Sequence, residues 1–283
     1  MKLSELLRAS VVVAAALATL GGTTNAEGWT KLRLGIDPTS PPLASIRPDG
    51  TMEGFSIDLA AATCARLKVS CEWVRQDFDG IIPALQQGKF DIIFDDLAIT
   101  PKRSAVVAFA IPISINRQGL MVLKSSSLAA EAPSDAAVSL DDQSAFQPLQ
   151  ERFQRALAGK TVGADIATPR ADLLTQYFKG VKVRTYPSEV DRHLDLLAGR
   201  IDAEVSTGGF LNESLWGPDG AKLQKMGPWL TGGLFGSGAS VALRKTDPDL
   251  KAMLDAAFKE ELADGTIRAI SLKWFKMDTT PPG

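Results

Sequence analysis

Two segments of this 283-residue chain each read strand, helix, strand, helix, strand. In the first, Leu32–Ile36 alternates like a strand, and Phe55, Leu59, Ala62 and Leu67 fall at near-helical spacing. Cys71–Arg75 follows as a strand, Ile81–Gln87 as a helix, and Phe90–Phe94 as a buried strand bounded by Asp91 and Asp95. In the second, Lys160–Gly163, Pro169–Phe178, Val181–Tyr186, Glu189–Leu197 and Ile201–Val205 repeat that order. Parallel strands joined through helices make right-handed crossovers, so each segment predicts a mostly parallel sheet flanked by helices. The copies also match by residue. Leu85-x-x-Gly88-Lys89-Phe90-Asp91 returns as Leu196-x-x-Gly199-Arg200-Ile201-Asp202, and Gly35-Ile36-Asp37-x-x-Ser40-Pro41 as Gly163-Ala164-Asp165-x-x-Thr168-Pro169. Helix-stop and strand-start chemistry common to α/β lobes is the alternative explanation. Both explanations give two similar lobes.

Ligands of open parallel sheets bind beyond the carboxyl ends of the strands. In the first lobe those ends carry Asp37, Phe78 and Asp95-Asp96; in the second they carry Asp165, Thr168 and Ser206-Thr207. Two lobes facing each other across these ends enclose a cleft rich in carboxylates, with Arg103 the conspicuous basic residue nearby.

The formal charge of −2, without a long basic run, argues against a nucleic-acid partner. The single histidine, His193, argues against a histidine metal site or a Ser-His-Asp triad, and no cofactor is implied. Lys2 and Arg8, the apolar run Val11–Leu20 and the small residues Thr23–Ala26 have the order of a secretory signal peptide. Cleavage is expected after Ala26, an uncleaved anchor being the alternative. Export gives the only cysteines, Cys64 and Cys71, a disulfide role, pinning a helix end to the next strand. Two buried free thiols are the alternative.

The segments Leu34–Thr39, Gly54–Leu59, Asp77–Leu85, Ile99–Arg103, Leu197–Ala203, Ala263–Thr266 and Trp274-Phe275 run in one order along the chain. In that order the chain resembles the periplasmic solute-binding proteins of the polar amino acid family that serve ABC importers. It is most similar to lysine/arginine/ornithine, histidine and opine binders, and the Cys64/Cys71 spacing matches their disulfide. The resemblance implies a two-lobed α/β fold of the Venus flytrap type, a periplasmic monomer, an amino-acid-like ligand and an inner-membrane ABC permease as partner. It assigns residues 28–115 plus 238–283 to lobe I and 118–231 to lobe II, with hinges near 112–117 and 231–240.

The family's roles transfer by position. Arg103 stands where an arginine grips the ligand α-carboxylate, through a guanidinium suited to paired charge-assisted bonds. Thr168 stands at a helix start that meets the same carboxylate, Phe78 where an aromatic ring packs on the ligand stem, and Asp37 where a carboxylate meets a distal cation. Ser40 and Asp165 complete the set. There are departures as well. Asp95-Asp96 replace two hydroxyl residues, Ala98 replaces a third, and Thr207 replaces the aspartate that binds the α-ammonium. The carboxylate has in effect moved across the cleft, which favours a cationic ligand. One of the aspartate pair pointing into the sheet surroundings is the alternative. Arg170, where the family often has Gln, suits either a second carboxylate, as an opine carries, or a solvated helix face. A binding protein is the main expectation. A periplasmic enzyme of cyclohexadienyl dehydratase type, with Glu204 or Asp165 as general acid, and a binder of a polyamine-like cation are the alternatives.

Overall fold

A computed structural model of the chain describes residues 28–281, and every structural statement below concerns these residues. The signal-peptide reading of residues 1–26 lies outside them. The chain opens with β1 (Lys31–Ile36), β2 (Ser45–Ile46), β3 (Met52–Glu53), α1 (Phe55–Leu67) and β4 (Ser70–Arg75). Next come α2 (Ile81–Gln86), β5 (Ile92–Ala98), α3 (Pro101–Ser104) and β6 (Ala108–Phe109). A second group follows: β7 (Gln118–Leu123), β8 (Ala137–Ser139), α4 (Gln143–Leu157), β9 (Thr161–Asp165), α5 (Pro169–Tyr177) and β10 (Lys182–Tyr186). It ends with α6 (Glu189–Leu197), β11 (Ala203–Thr207), α7 (Gly208–Trp216) and β12 (Leu223–Thr231). The chain then forms β13 (Ala239–Leu243), α8 (Pro248–Ala263) and α9 (Thr266–Phe275).

These strands make two main sheets, β4-β1-β5-β13-β6 and β10-β9-β11-β7-β12-β8. β1 runs parallel to both β4 and β5, and β9 runs parallel to both β10 and β11. Each sheet has one reversed strand, β13 in the first and β7 in the second. Each is the first strand after the chain passes from the other sheet. A chain arriving from the neighbouring lobe enters at the cleft edge, where the home strands end, and so runs against them. The two passages are joined to each other: Ile113 N–H donates to Ala239 O at 2.9 Å and Ala239 N–H to Ser114 O at 3.0 Å. Gly236 is required in the second passage, since it has φ of 73° and an added Cβ would lie 1.8 Å from Ile99 O.

Each sheet has its own core. Leu32, Leu34, Phe55, Ile92 and Phe94 pack with Val241, Leu250, Leu254 and Phe258, so α8 and α9 close the first sheet, not the second. Leu120, Phe146, Phe153, Val162, Leu173 and Val205 form the core of the second. Each fully buried Leu or Phe contributes roughly 1.5–3 kcal/mol. The disulfide Cys64–Cys71 joins the last turn of α1 to β4. Two strands sit later than the sequence periodicity places them. β5 is read as Phe90–Phe94 but runs to Ala98, because Leu97 and Ala98 pair again with Ser240 and Ala239 beyond Asp95-Asp96; β11 begins at Ala203 where Ile201 is the expected start. Among the described residues no helix is long and apolar enough to cross a membrane.

Candidate functional site

The carboxyl ends of β1, β5, β9 and β11, with the turns after β4 and β10, surround a cavity between the two sheets with about 700 Å³ of empty space, part of it open to solvent. The residues given ligand-binding roles from the sequence line it: Asp37, Ser40, Phe78, Asp95, Asp96, Ala98, Arg103, Asp165, Thr168, Arg170 and Thr207, whereas Ser206 and Glu204 do not.

The first wall is shaped by a bulge. Between the pairs Ile93–Ala242 and Leu97–Ser240, β5 carries one stretch of extra chain, and Asp96 there has φ of 41°. Successive side chains of a regular strand point to opposite faces, and a bulge breaks that alternation. Both Asp95 and Asp96 therefore reach the cavity, which answers the alternative that one of them turns into the sheet. Both oxygens of the Asp95 carboxyl are buried without a hydrogen-bond partner. Burial, reinforced by the Asp37 charge and opposed by the nearby Asp37 backbone N–H, drives its pKa well above the ordinary carboxylate value. Asp96 is also raised by burial, to about 6, while the Ser114 hydroxyl, 2.9 Å from both its oxygens, opposes the shift. Asp37 is held by its own turn: it accepts from Thr39 N–H at 3.0 Å, the Thr39 hydroxyl at 2.7 Å and Phe78 N–H at 3.0 Å. The third of these bonds fixes the start of the turn that presents Phe78. Arg103 lies over the Phe78 ring, 5.4 Å from its centre, and donates to Ala98 O at 3.2 Å and Ala167 O at 3.4 Å. The second of these contacts crosses the cleft. Burial, with the nearby Arg170 charge, lowers the Arg103 pKa to about 10, so it remains a cation at neutral pH.

The second wall is an ion network. Arg192, fully buried on α6, pairs with Asp165, with Glu204 at 3.0 Å and with the Ser206 hydroxyl at 2.9 Å. Burial opposes the charge on Arg192, but Asp165, Glu204 and Glu189 raise its pKa above its usual value. Asp165 also takes Arg170 at 2.6 Å. Burial alone would raise Asp165; Arg192 and Arg170 hold it below the ordinary range. These contacts correct three readings. Arg170 is no solvated helix-face arginine, since it is ion-paired in the cavity wall and also bonds Gln118 at 3.2 Å. Asp165 is no general acid, because two guanidiniums keep it ionised. Glu204 is fully buried behind the wall against Arg192 and His193, outside the cavity lining, and is no general acid either. The Thr168 hydroxyl donates to Asp165 O at 2.7 Å. Thr207 caps α7, its hydroxyl accepting from Phe210 N–H at 3.2 Å.

Sequence reasoning missed Glu189, Asn116 and Gln118 in the cavity lining. Glu189 follows the α6 N-cap Ser188 and reads as an ordinary first-turn acid, while Asn116 reads as part of the passage between lobes and Gln118 as the first residue of lobe II. A smaller cavity of about 510 Å³ adjoins the first and shares Leu43, Asp96, Asn116 and Thr207 with it.

The sequence profile of the bacterial extracellular solute-binding proteins, family 3, matches residues 32–277. The octopine-binding periplasmic protein of Rhizobium meliloti is 33% identical over 97% of this chain and 100% of its own length. The L-arginine-binding protein of Pseudomonas aeruginosa is 33% identical over 87% of this chain and 88% of its own. Among solved structures, an ancestral arginine-binding protein bound to arginine superposes with a TM-score of 0.72 at 29% identity, covering 87% of this chain and 98% of that one.

Proposed function

Because the chain belongs to the bacterial extracellular solute-binding proteins of family 3, we propose that it captures a cationic amino acid or an amino-acid derivative in the cleft and delivers it to an inner-membrane ABC permease. In this reading residues 1–26 direct export to the periplasm, and the protein binds its solute without transforming it. The observation that carries the reading is Asp95, a residue of the cavity lining whose two carboxyl oxygens are buried with no partner. A buried carboxyl in that state is costly, and a cation from the ligand relieves the cost. Asp37 and Asp96 beside it add to the attraction, which strengthens as closure excludes water. Arg103 and Arg170 supply positive charge for carboxylate, so arginine, ornithine, lysine, histidine and opines fit better than a pure polyamine. The adjoining cavity gives room for an opine's second arm. The joined passages at Ile113–Ser114 and Ala239 serve as the hinge about which the lobes close.

Calorimetric titration with these amino acids, octopine, putrescine, citrulline, glutamine and glutamate tests the proposal, with mass spectrometry of the mixture for product. A cationic α-amino acid or opine is expected to bind most tightly and to be recovered intact. A tightest ligand that is neutral or acidic overturns the cationic reading, and turnover overturns the binding role.

A further inference from the structure

The network that satisfies the second wall leaves one carboxyl oxygen out. Glu189, the first residue of α6, is 4% exposed and lines the cavity. Its Oε1 has only a 3.5 Å contact with Arg170 Nη2, and its Oε2 has no partner. Arg192, one turn along, reaches the same carboxyl only at 3.9 Å. Across the cleft stand the two unpartnered oxygens of Asp95. The two carboxyls feel each other, since Glu189 is among the charges that raise Asp95. Each sheet therefore offers one buried carboxyl with unused lone pairs to the same cavity. A ligand nitrogen centre with N–H bonds pointing in two directions can satisfy both at once, whereas a neutral or single-donor group leaves one carboxyl stranded.

We propose that Glu189 is a specificity-determining ligand residue that, with Asp95, clamps one cationic nitrogen centre, a guanidinium or a secondary ammonium, between the two lobes. The proposal rests on the cleft being the solute site. It assigns selection for positive charge to both lobes, and it makes closure depend on the cation, because without it the two buried carboxyls must either take up protons or repel.

The protonation states follow from the surroundings. Glu189 faces Asp165 from β9, Arg170 from α5, Glu204 from β11, Arg192 on its own helix and Asp95 from β5. Burial and Asp165 raise it to about 7 against the pull of the arginines. Asp95 faces Asp37 from β1 and Asp96 beside it, as well as Glu189. Clamping a cation forces both carboxyls to ionise, so binding releases protons near neutral pH.

The test uses arginine and its neutral isostere citrulline as probes, by calorimetry at pH 7 in two buffers of different ionisation enthalpy. For the unmodified protein, arginine binding is expected to release protons. Glu189→Gln should weaken arginine at least 30-fold, change citrulline less than threefold and reduce the proton release. Asp95→Asn should weaken arginine comparably, and the double variant should lose far less than the product of the two single losses. Arginine affinity within threefold of the original in Glu189→Gln, or strictly multiplicative losses, overturns the clamp while leaving the solute site standing. Should Glu189→Gln fold poorly, the absence of proton release by the unmodified protein overturns the clamp on its own. An unmodified protein that binds none of arginine, ornithine, lysine, histidine and octopine overturns the solute reading and the clamp together.

Discussion

The two walls of the cleft are built from equivalent strand ends and treat charge in opposite ways. After β9, Asp165 is gripped by Arg170 and Arg192, and after β1 its counterpart Asp37 is gripped by backbone and hydroxyl donors. At the ends of β5 and β11 the contrast widens. Asp95-Asp96 occupy the repeat positions of Ser206-Thr207. Ser206 is bonded to Arg192 and Thr207 caps a helix, whereas neither Asp95 oxygen has a hydrogen bond of good geometry and only the Asp37 backbone N–H lies near it. Lobe II satisfies its own polar groups, apart from Glu189 and one Arg170 nitrogen, and so presents a preset surface. Lobe I keeps desolvated charge in reserve for a ligand. The same residue type contributes to stability in one wall and to recognition in the other, according to whether its partner belongs to the protein.

The sharpest break of this comparison is one substitution made on both sides. Asp165→Asn removes a member of a buried ion network and leaves guanidinium charge uncompensated, so a loss of about 3–5 kcal/mol is expected in urea unfolding. Asp95→Asn removes a carboxyl that repels its neighbours, and the ligand-free protein should be at least as stable as the original. If both variants lose stability equally, the walls do not differ in the way argued.

Arg103→Ala should weaken binding of arginine by tens-fold or more, since the ligand carboxylate would be left desolvated, at a cost of roughly 2–5 kcal/mol. A change below threefold by calorimetry would mean that no carboxylate lies against it. Loss of the disulfide in the Cys64→Ser, Cys71→Ser double variant should lower stability by about 2–3 kcal/mol, as for a short closed loop. It should leave the affinity near its original value, because the bridge lies between α1 and β4, away from the cavity lining.

The smallest expected effect is on pH dependence. Asp95, Asp96 and Glu189 have folded pKa values above the ordinary carboxylate range. The folded protein thus holds protons that the unfolded chain has released, and stability falls as pH rises from the unfolded values near 4 through the folded ones, about 6 for Asp96 and about 7 for Glu189. Melting of the ligand-free protein should therefore drop by a few degrees between pH 5 and pH 8. Saturating arginine should reverse the trend, because a cation favours the ionised carboxyls. A ligand-free melting temperature that rises over this interval would show that Asp95, Asp96 and Glu189 are not held protonated in the ligand-free fold, since the paired carboxylates of lobe II titrate below it.

Much of the site was legible in advance because strand ends are local features. Helix α1 begins and ends where its spacing predicts, and α6 does the same. Asp37, Phe78, Arg103 and Thr168 lie at ends or turns that the chain marks with Gly, Pro and Asp. The Arg170 pairing was not legible, since Asp165, Gln118 and Glu189 come from three different elements that meet only after the sheet forms. Nor was the bulge at Asp96 legible, for it depends on how β13 lies against β5.

By itself the sequence determined two α/β lobes, the strand ends that meet at the cleft, the cysteine pair and an acidic inventory around Arg103. All of these follow from periodicity and turn chemistry, which act over a few residues. Only the tertiary structure decided which acids are spent and which are free. A carboxyl's state depends on whether donors from distant segments come within about 3 Å of it and whether water is excluded. Asp165 met two arginines on folding, while Asp95 and the outer oxygen of Glu189 met none.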